Sequence, residues 1–141
     1  MKKILIVNSN YYEKISDNLV DNAKKKLSLS KFKVSKIDVP GIFEISIAIR
    51  KNIKKFDGFV ALGCVIRGQT PHFDYICHSS FNAISQLTIN FNKPIGNGII
   101  TALNMTQAVK RSKKNTYKVP NKGSEAANAV ISTLNNEPKK I

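Results

Sequence analysis

The chain has 141 residues, 42% of them hydrophobic, and a formal net charge of +14. This length suits one domain, residues 1–141, and the hydrophobic share argues against a disordered chain. No apolar run could span a bilayer, and the run after the basic start at residues 1–3 is too short for a signal-peptide core. The composition therefore predicts one globular domain in the cytoplasm, away from membranes.

Hydrophobic periodicity divides the chain into alternating strands and helices. Strands are predicted over residues 3–9, 32–39, 59–64 and 94–101, and helices over residues 13–29, 43–54, 71–91, 104–111 and 124–135. Asn104 is the expected cap of the fourth helix. Gly96 and Gly98, inside the fourth strand, indicate close approach by a ligand or another backbone. The alternation predicts an α/β three-layer sandwich with a four-stranded parallel sheet, a flavodoxin-like doubly wound fold.

The stretch from residue 63 to residue 74 gathers the strongest candidate groups for a site. It leads from the third strand into a helix that Thr70 is expected to cap. Arg67 supplies a cation, Gly68 lets the chain turn and a ligand approach the backbone, and His72 lies in the first helical turn, where unpaired N–H groups attract anions. Since parallel strands end on one side of a sheet, we expect all four strand ends to form one crevice. The residues predict a site for an anionic or phosphorylated molecule, with His72 as proton carrier.

The basic composition leaves two interpretations open. Only three of the 23 basic residues are arginine, and no aromatic residues alternate with basic ones as in a nucleic-acid groove. A solvated lysine surface that helps to collect anionic substrates is favoured over a nucleic-acid binder. Cys64 and Cys77 give neither a disulfide framework nor a metal-ligand spacing, so no metal is expected.

Three segments resemble the 6,7-dimethyl-8-ribityllumazine synthase family: residues 39–45 (VPGIFEI), 61–77 (ALGCVIRGQTPHFDYIC) and 121–123 (NKG). Their order is that of the family, and the resemblance covers nearly the whole chain. It implies the condensation of 5-amino-6-(D-ribitylamino)uracil with 3,4-dihydroxy-2-butanone 4-phosphate, which releases phosphate and water in the penultimate step of riboflavin biosynthesis. That reaction needs no metal, cofactor or enzyme nucleophile.

The resemblance also assigns roles to positions of this chain. Contacts with the pyrimidine substrate are expected from Tyr11, Ile42, Phe43, Glu44, Cys64, Val65, Ile66 and Asn97. Contacts with the phosphate are expected from Arg67, Gln69, Thr70, Arg111 and Lys122, and His72 is the expected proton donor.

Several of these roles have alternatives. Tyr12 is a neighbouring candidate for the role given to Tyr11, and Arg111 and Lys122 could be surface charges in so basic a chain. Cys64 is better interpreted as a small apolar residue at a strand end than as a nucleophile. Many members of the family have phenylalanine in place of Asn97, so a polar contact is expected there.

The resemblance further implies a homo-oligomer, with riboflavin synthase as a further suggested partner. The chain starts almost at its first strand, and residues 112–120 are longer and richer in lysine than the tight turn that shell-forming members require. We therefore expect a cyclic pentamer rather than a capsid, with two stacked rings as the alternative. The rival functions are a flavin- or lumazine-binding protein that has lost catalysis and, less favoured, a nucleic-acid binder.

Overall fold

The computed structural model describes residues 1–114 and 118–141. Within them the strands are β1 (Lys3–Ser9), β2 (Lys33–Val39), β3 (Gly58–Ile66) and β4 (Ile95–Ala102). The α-helices are α1 (Glu13–Leu29), α2 (Ile45–Asn52), α3 (His72–Phe91), α4 (Met105–Ser112) and α5 (Lys122–Asn135), and a short 3-10 turn, Ile42–Glu44, precedes α2. No helix in these two ranges is long and apolar enough to cross a membrane.

The strands form one parallel sheet in the order β2-β1-β3-β4, which confirms the predicted fold class. Alternate residues of β1 show how the sheet carries a core on each face. Ile4 and Ile6 pack with α1 and α5, whereas Leu5 and Val7 pack with α2 and α3. Because both faces are covered, the central strands contain consecutive apolar residues, Ile4 to Val7 in β1 and Phe59 to Leu62 in β3, rather than alternating apolar and polar ones.

Some predicted boundaries shift where the local chemistry differs from the expected pattern. Thr70 does not cap α3: the helix begins at His72 after Pro71, and no side chain caps it. The third strand continues to Ile66 because its last residues still pair with β4. By contrast, Asn104 caps α4 as predicted, accepting a hydrogen bond from the Gln107 N–H at 2.9 Å.

The fifth helix starts two residues before the predicted Ser124, because Asn121 is its cap. The predicted second helix is divided into the 3-10 turn and α2, which ends at Asn52. A Cβ on Gly96 would collide with the carbonyl oxygen of Ala126 on α5. Close approach of a helix backbone therefore accounts for this glycine without a ligand.

Candidate active site

A cavity of about 490 Å³ lies where β1, β2 and β3 end, and we call it the His72 cavity. Its lining contains every predicted pyrimidine contact except Asn97, together with the predicted proton donor. The residues from the predicted set are Tyr11, Ile42, Phe43, Glu44, Cys64, Val65, Ile66 and His72. The fold brings them together because β1 lies between β2 and β3, so that the segments following all three strands meet at one edge of the sheet.

The aromatic side chains of the His72 cavity stand at its open side. Tyr11 is 73% exposed and Phe43 is 61% exposed, although both belong to a well-packed domain. Tyr11 and Tyr12 meet edge to face with their ring centroids 5.0 Å apart. Exposed aromatic faces of this kind offer a stacking surface to a flat heterocycle.

Two polar residues of this cavity stand apart from the predicted contacts: Ser9 has no role in the sequence prediction, and Tyr12 is only the alternative to Tyr11 there. Ser9 ends β1 and is only 2% exposed, and its hydroxyl has no hydrogen-bond partner among the described residues. Tyr12 packs against the core between the sheet and α1, and burial, with Cys64 and Tyr11 nearby, raises the pKa of its phenol. Both belong to the polar residues 8–12 at the end of β1 and just after it, but only the fold shows which of these side chains turn inward.

Cys64 lines the His72 cavity as a neutral thiol. Burial raises its pKa from 9.0 to about 11, so at neutral pH almost none of it is thiolate. The structure therefore agrees with the interpretation of Cys64 as a small apolar lining residue, because a catalytic thiol needs a lowered pKa.

A second cavity, of about 640 Å³, runs along the outer edge of β4, and we call it the Arg111 cavity. Residues of α3, α4, α5 and the segment before α5 complete its wall. It contains the predicted residues Asn97, Arg111 and Lys122, and also Lys110 and Lys118, which had no predicted role. Four basic side chains around one cavity make it suited to an anion.

Hydrogen bonds orient the polar groups of the Arg111 cavity. The guanidinium of Arg111 donates to the carbonyl oxygen of Gln107 at 3.0 Å, one helical turn earlier. The Lys122 ammonium lies 3.8 Å from the carboxylate of Glu125, the one acidic residue in the lining. The side-chain oxygen of Asn97 accepts from the Ile99 N–H at 3.1 Å, which directs this amide along the strand.

Arg67, Gln69 and Thr70 line neither cavity and lie in the exposed loop before α3. Arg67 instead forms a two-point ion pair with Asp74, with nitrogen–oxygen distances of 3.3 and 3.4 Å. Gly68 does not take a positive φ, so the predicted turn does not depend on glycine, and a Cβ there would stand in open space.

The expectation of one crevice at four strand ends is wrong for a single chain. No residue of β4 lines the His72 cavity in the described part of the chain, and Asn97 lies within that strand rather than after it. Most of the predicted residues are therefore divided between two separate cavities, one aromatic and one cationic, and Arg67, Gln69 and Thr70 lie outside both.

Comparison with known proteins agrees with the motifs. A family model described as 6,7-dimethyl-8-ribityllumazine synthase matches residues 1–137. A protein of that name from Bartonella tribocorum is 43% identical over 131 residues, 91% of this chain and 85% of its own length. One from Campylobacter jejuni is 40% identical over 138 residues, 94% of this chain and 88% of its own. The chain therefore belongs to the 6,7-dimethyl-8-ribityllumazine synthase family.

Proposed function

We propose that this protein condenses 5-amino-6-(D-ribitylamino)uracil with 3,4-dihydroxy-2-butanone 4-phosphate to give 6,7-dimethyl-8-ribityllumazine, phosphate and water. Family membership supplies the reaction, which belongs to riboflavin biosynthesis. The observation that carries the proposal within the structure is the complementary pair of cavities. One offers stacking surfaces and a histidine, and the other offers cations.

The His72 cavity is the proposed binding site of the pyrimidine. Tyr11 and Phe43 present exposed rings to the flat heterocycle, and Glu44 can accept hydrogen bonds from the hydroxyls of the ribityl chain. The end of β3 at Val65 and Ile66 contributes backbone groups at the floor. Such a cavity, mostly apolar with a few convergent polar groups, is the usual form of a small-molecule site.

The Arg111 cavity is the proposed binding site of the phosphate. A planar guanidinium can bind two phosphate oxygens at once, and Lys122 adds a second positive charge on the same cavity wall. Arg67, Gln69 and Thr70 are the proposed contacts from the other side, and to take part Arg67 must exchange Asp74 for the substrate.

The two substrates must meet although the two cavities are separate in one chain. We propose that the Arg111 cavity of one subunit faces the His72 cavity of the next, within a head-to-tail ring of five subunits. Exposed apolar side chains support such contacts, among them Phe43, Ile47, Tyr75 and Ile89. Every subunit of such a ring uses the same two different surfaces, and the ring closes when five equal rotations between neighbours complete a full turn.

Within the joined site, His72 is the proposed proton carrier. The amine of the pyrimidine attacks the ketone and water leaves to form an imine. Phosphate is then eliminated, and a second amine closes the ring with loss of another water. Each step moves a proton, and the position of His72 at the start of α3 and in the lining of the cavity supports its role as donor and acceptor. Holding both substrates together supplies the rest of the rate enhancement.

The direct test is to mix the purified protein with both authentic substrates and follow lumazine fluorescence and phosphate release together. Equal amounts of the two products would support the proposal. Tight binding of a flavin or lumazine with no turnover would instead favour the binding protein. Binding of nucleic acid that weakens steeply with salt, without turnover, would favour the remaining rival.

A further inference from the structure

The side chain of Asn121 is hydrogen-bonded to two helices. As the cap of α5, it accepts a hydrogen bond from the Ser124 N–H at 3.0 Å through Oδ1. Its Nδ2 group donates to the carbonyl oxygens of Ser112 and Lys113, both at 2.9 Å, where α4 ends. The residue is 0% exposed, so these bonds are made away from water. A single amide therefore links the end of one helix to the start of another.

The two helix ends joined by Asn121 are those that carry the phosphate cations. Arg111 immediately precedes Ser112 in the last turn of α4, and Lys122 is the first residue of α5. Both side chains line the Arg111 cavity, although ten residues separate them along the chain. The distance between these two positive charges thus depends on how α4 is attached to α5.

The start of α5 is itself fixed against another helix. A Cβ on Gly123 would collide with the backbone carbonyl of Leu19 in α1, so the two helices pack backbone against backbone here. Because α5 is held against α1, it forms the fixed reference to which Asn121 ties α4.

We propose that Asn121 is a positioning residue for phosphate binding: by joining α4 to α5 it sets the separation of Arg111 and Lys122. The inference rests on the proposed function of these two residues. It gives the three-residue motif at 121–123 a physical basis. The asparagine joins the helices, the lysine faces the anion, and the glycine lets α5 pack on α1.

The decisive variant is Asn121→Ser. Serine caps a helix as well as asparagine does but is too short to reach across to α4, so the cap stays and the link is lost. We expect the KM for the butanone phosphate to rise about tenfold through misplacement of the cations, while kcat and the KM for the pyrimidine stay within about twofold. Calorimetric titration with inorganic phosphate should show the same loss of affinity.

Asn104→Ser is the matched control, because the Asn104 side chain caps α4 in the same way but forms no hydrogen bond to α5 among the described residues. It should change neither substrate's KM. Thermal unfolding of both variants separates positioning from folding. Unchanged phosphate affinity in Asn121→Ser would overturn the inference, and so would a variant that no longer folds, since Asn121 would then serve the fold alone. Absence of turnover in the unmodified protein would instead count against the proposed function.

Discussion

The two cavities differ in chemistry and in the part of the chain that builds them. Residues 9–76 build the His72 cavity, which contains tyrosines, aliphatic side chains, one histidine and one glutamate. Residues 81–125 build the Arg111 cavity, which contains four basic side chains and one acidic one. The first suits a flat heterocycle and the second an anion. The difference teaches that one chain carries two cavities of unlike chemistry, and under the proposed function the reaction depends on bringing them together between subunits.

The largest effect is expected at His72, the proposed proton carrier. His72→Ala should lower kcat by about one to three orders of magnitude, because general acid–base catalysis supplies only part of the acceleration. His78→Ala is the matched control, since His78 lies on the same helix but outside the His72 cavity. Steady-state kinetics with both substrates measures the change. An unchanged kcat in His72→Ala would remove this residue from the mechanism.

The next effect tests the Arg111 cavity. Arg111→Ala should raise the KM for the butanone phosphate about tenfold or more and leave the KM for the pyrimidine unchanged. The reason is that a guanidinium can donate two parallel hydrogen bonds to phosphate oxygens, and such bonds are strong. Arg111→Lys should restore only part of the affinity, since lysine keeps the charge without the planar fork. Lys113→Ala removes a neighbouring charge outside the cavity and should have little effect. A rise in the pyrimidine KM instead would show that the two cavities have been assigned the wrong way round.

A smaller effect of opposite sign is expected at Glu125. This carboxylate lies 3.8 Å from the Lys122 ammonium and competes with the phosphate for it. Glu125→Gln should therefore tighten binding of inorganic phosphate about two- to threefold, as suits a solvent-exposed pair. Product inhibition by phosphate should become stronger by the same factor. Glu137→Gln is the control, because it removes an equal charge outside the cavity. An equal gain in phosphate affinity in that variant would mean that only the net charge of the protein matters.

The smallest effect on turnover is expected at Cys64. Cys64→Ser should leave kcat within about twofold, because a group with its pKa raised to about 11 is not a nucleophile near neutral pH. In a Cys77→Ser background, alkylation of Cys64 should be slow at pH 8 and should accelerate toward pH 11. Because burial favours the neutral thiol, its contribution to stability is complete below the ordinary pKa of 9.0 and falls as the pH rises toward 11. Rapid labelling at pH 8 that the pyrimidine does not slow would contradict this view of the cavity.

Much of the fold could be predicted because local patterns and tertiary packing agree. The apolar stripe of α1 fixed both ends of that helix, at Glu13 and Leu29. Asn104 was recognisable as a cap because its side chain bonds to its own helix. Thr70 has the same capping chemistry in principle, but α3 begins at His72 and no side chain caps it. Capping propensity is thus a preference that the surrounding loop can override.

The division of the site could not be predicted, because it depends on strand order rather than on any local pattern. The motif at residues 61–77 places His72 near β1 and β2 only if β3 pairs with β1. The sequence of a short apolar strand does not indicate which strand it pairs with. The role of Asn121 was hidden for a similar reason. Its bonds to α4 cross eight and nine residues of sequence, and the stretch between has no periodicity to interpret.

The central claim is that a complete site combines the His72 cavity of one subunit with the Arg111 cavity of its neighbour. His72→Ala and Arg111→Ala proteins are unfolded, mixed in equal amounts and refolded together. The activity of the mixture is then measured at a butanone phosphate concentration far below the KM of Arg111→Ala. Random assembly in a head-to-tail ring leaves both halves intact at about a quarter of the sites, so activity should recover to about a quarter of that of the unmodified protein. Each variant refolded alone is the control. If the mixture shows no more activity than the average of the two variants, each chain holds its own complete site and the claim is wrong.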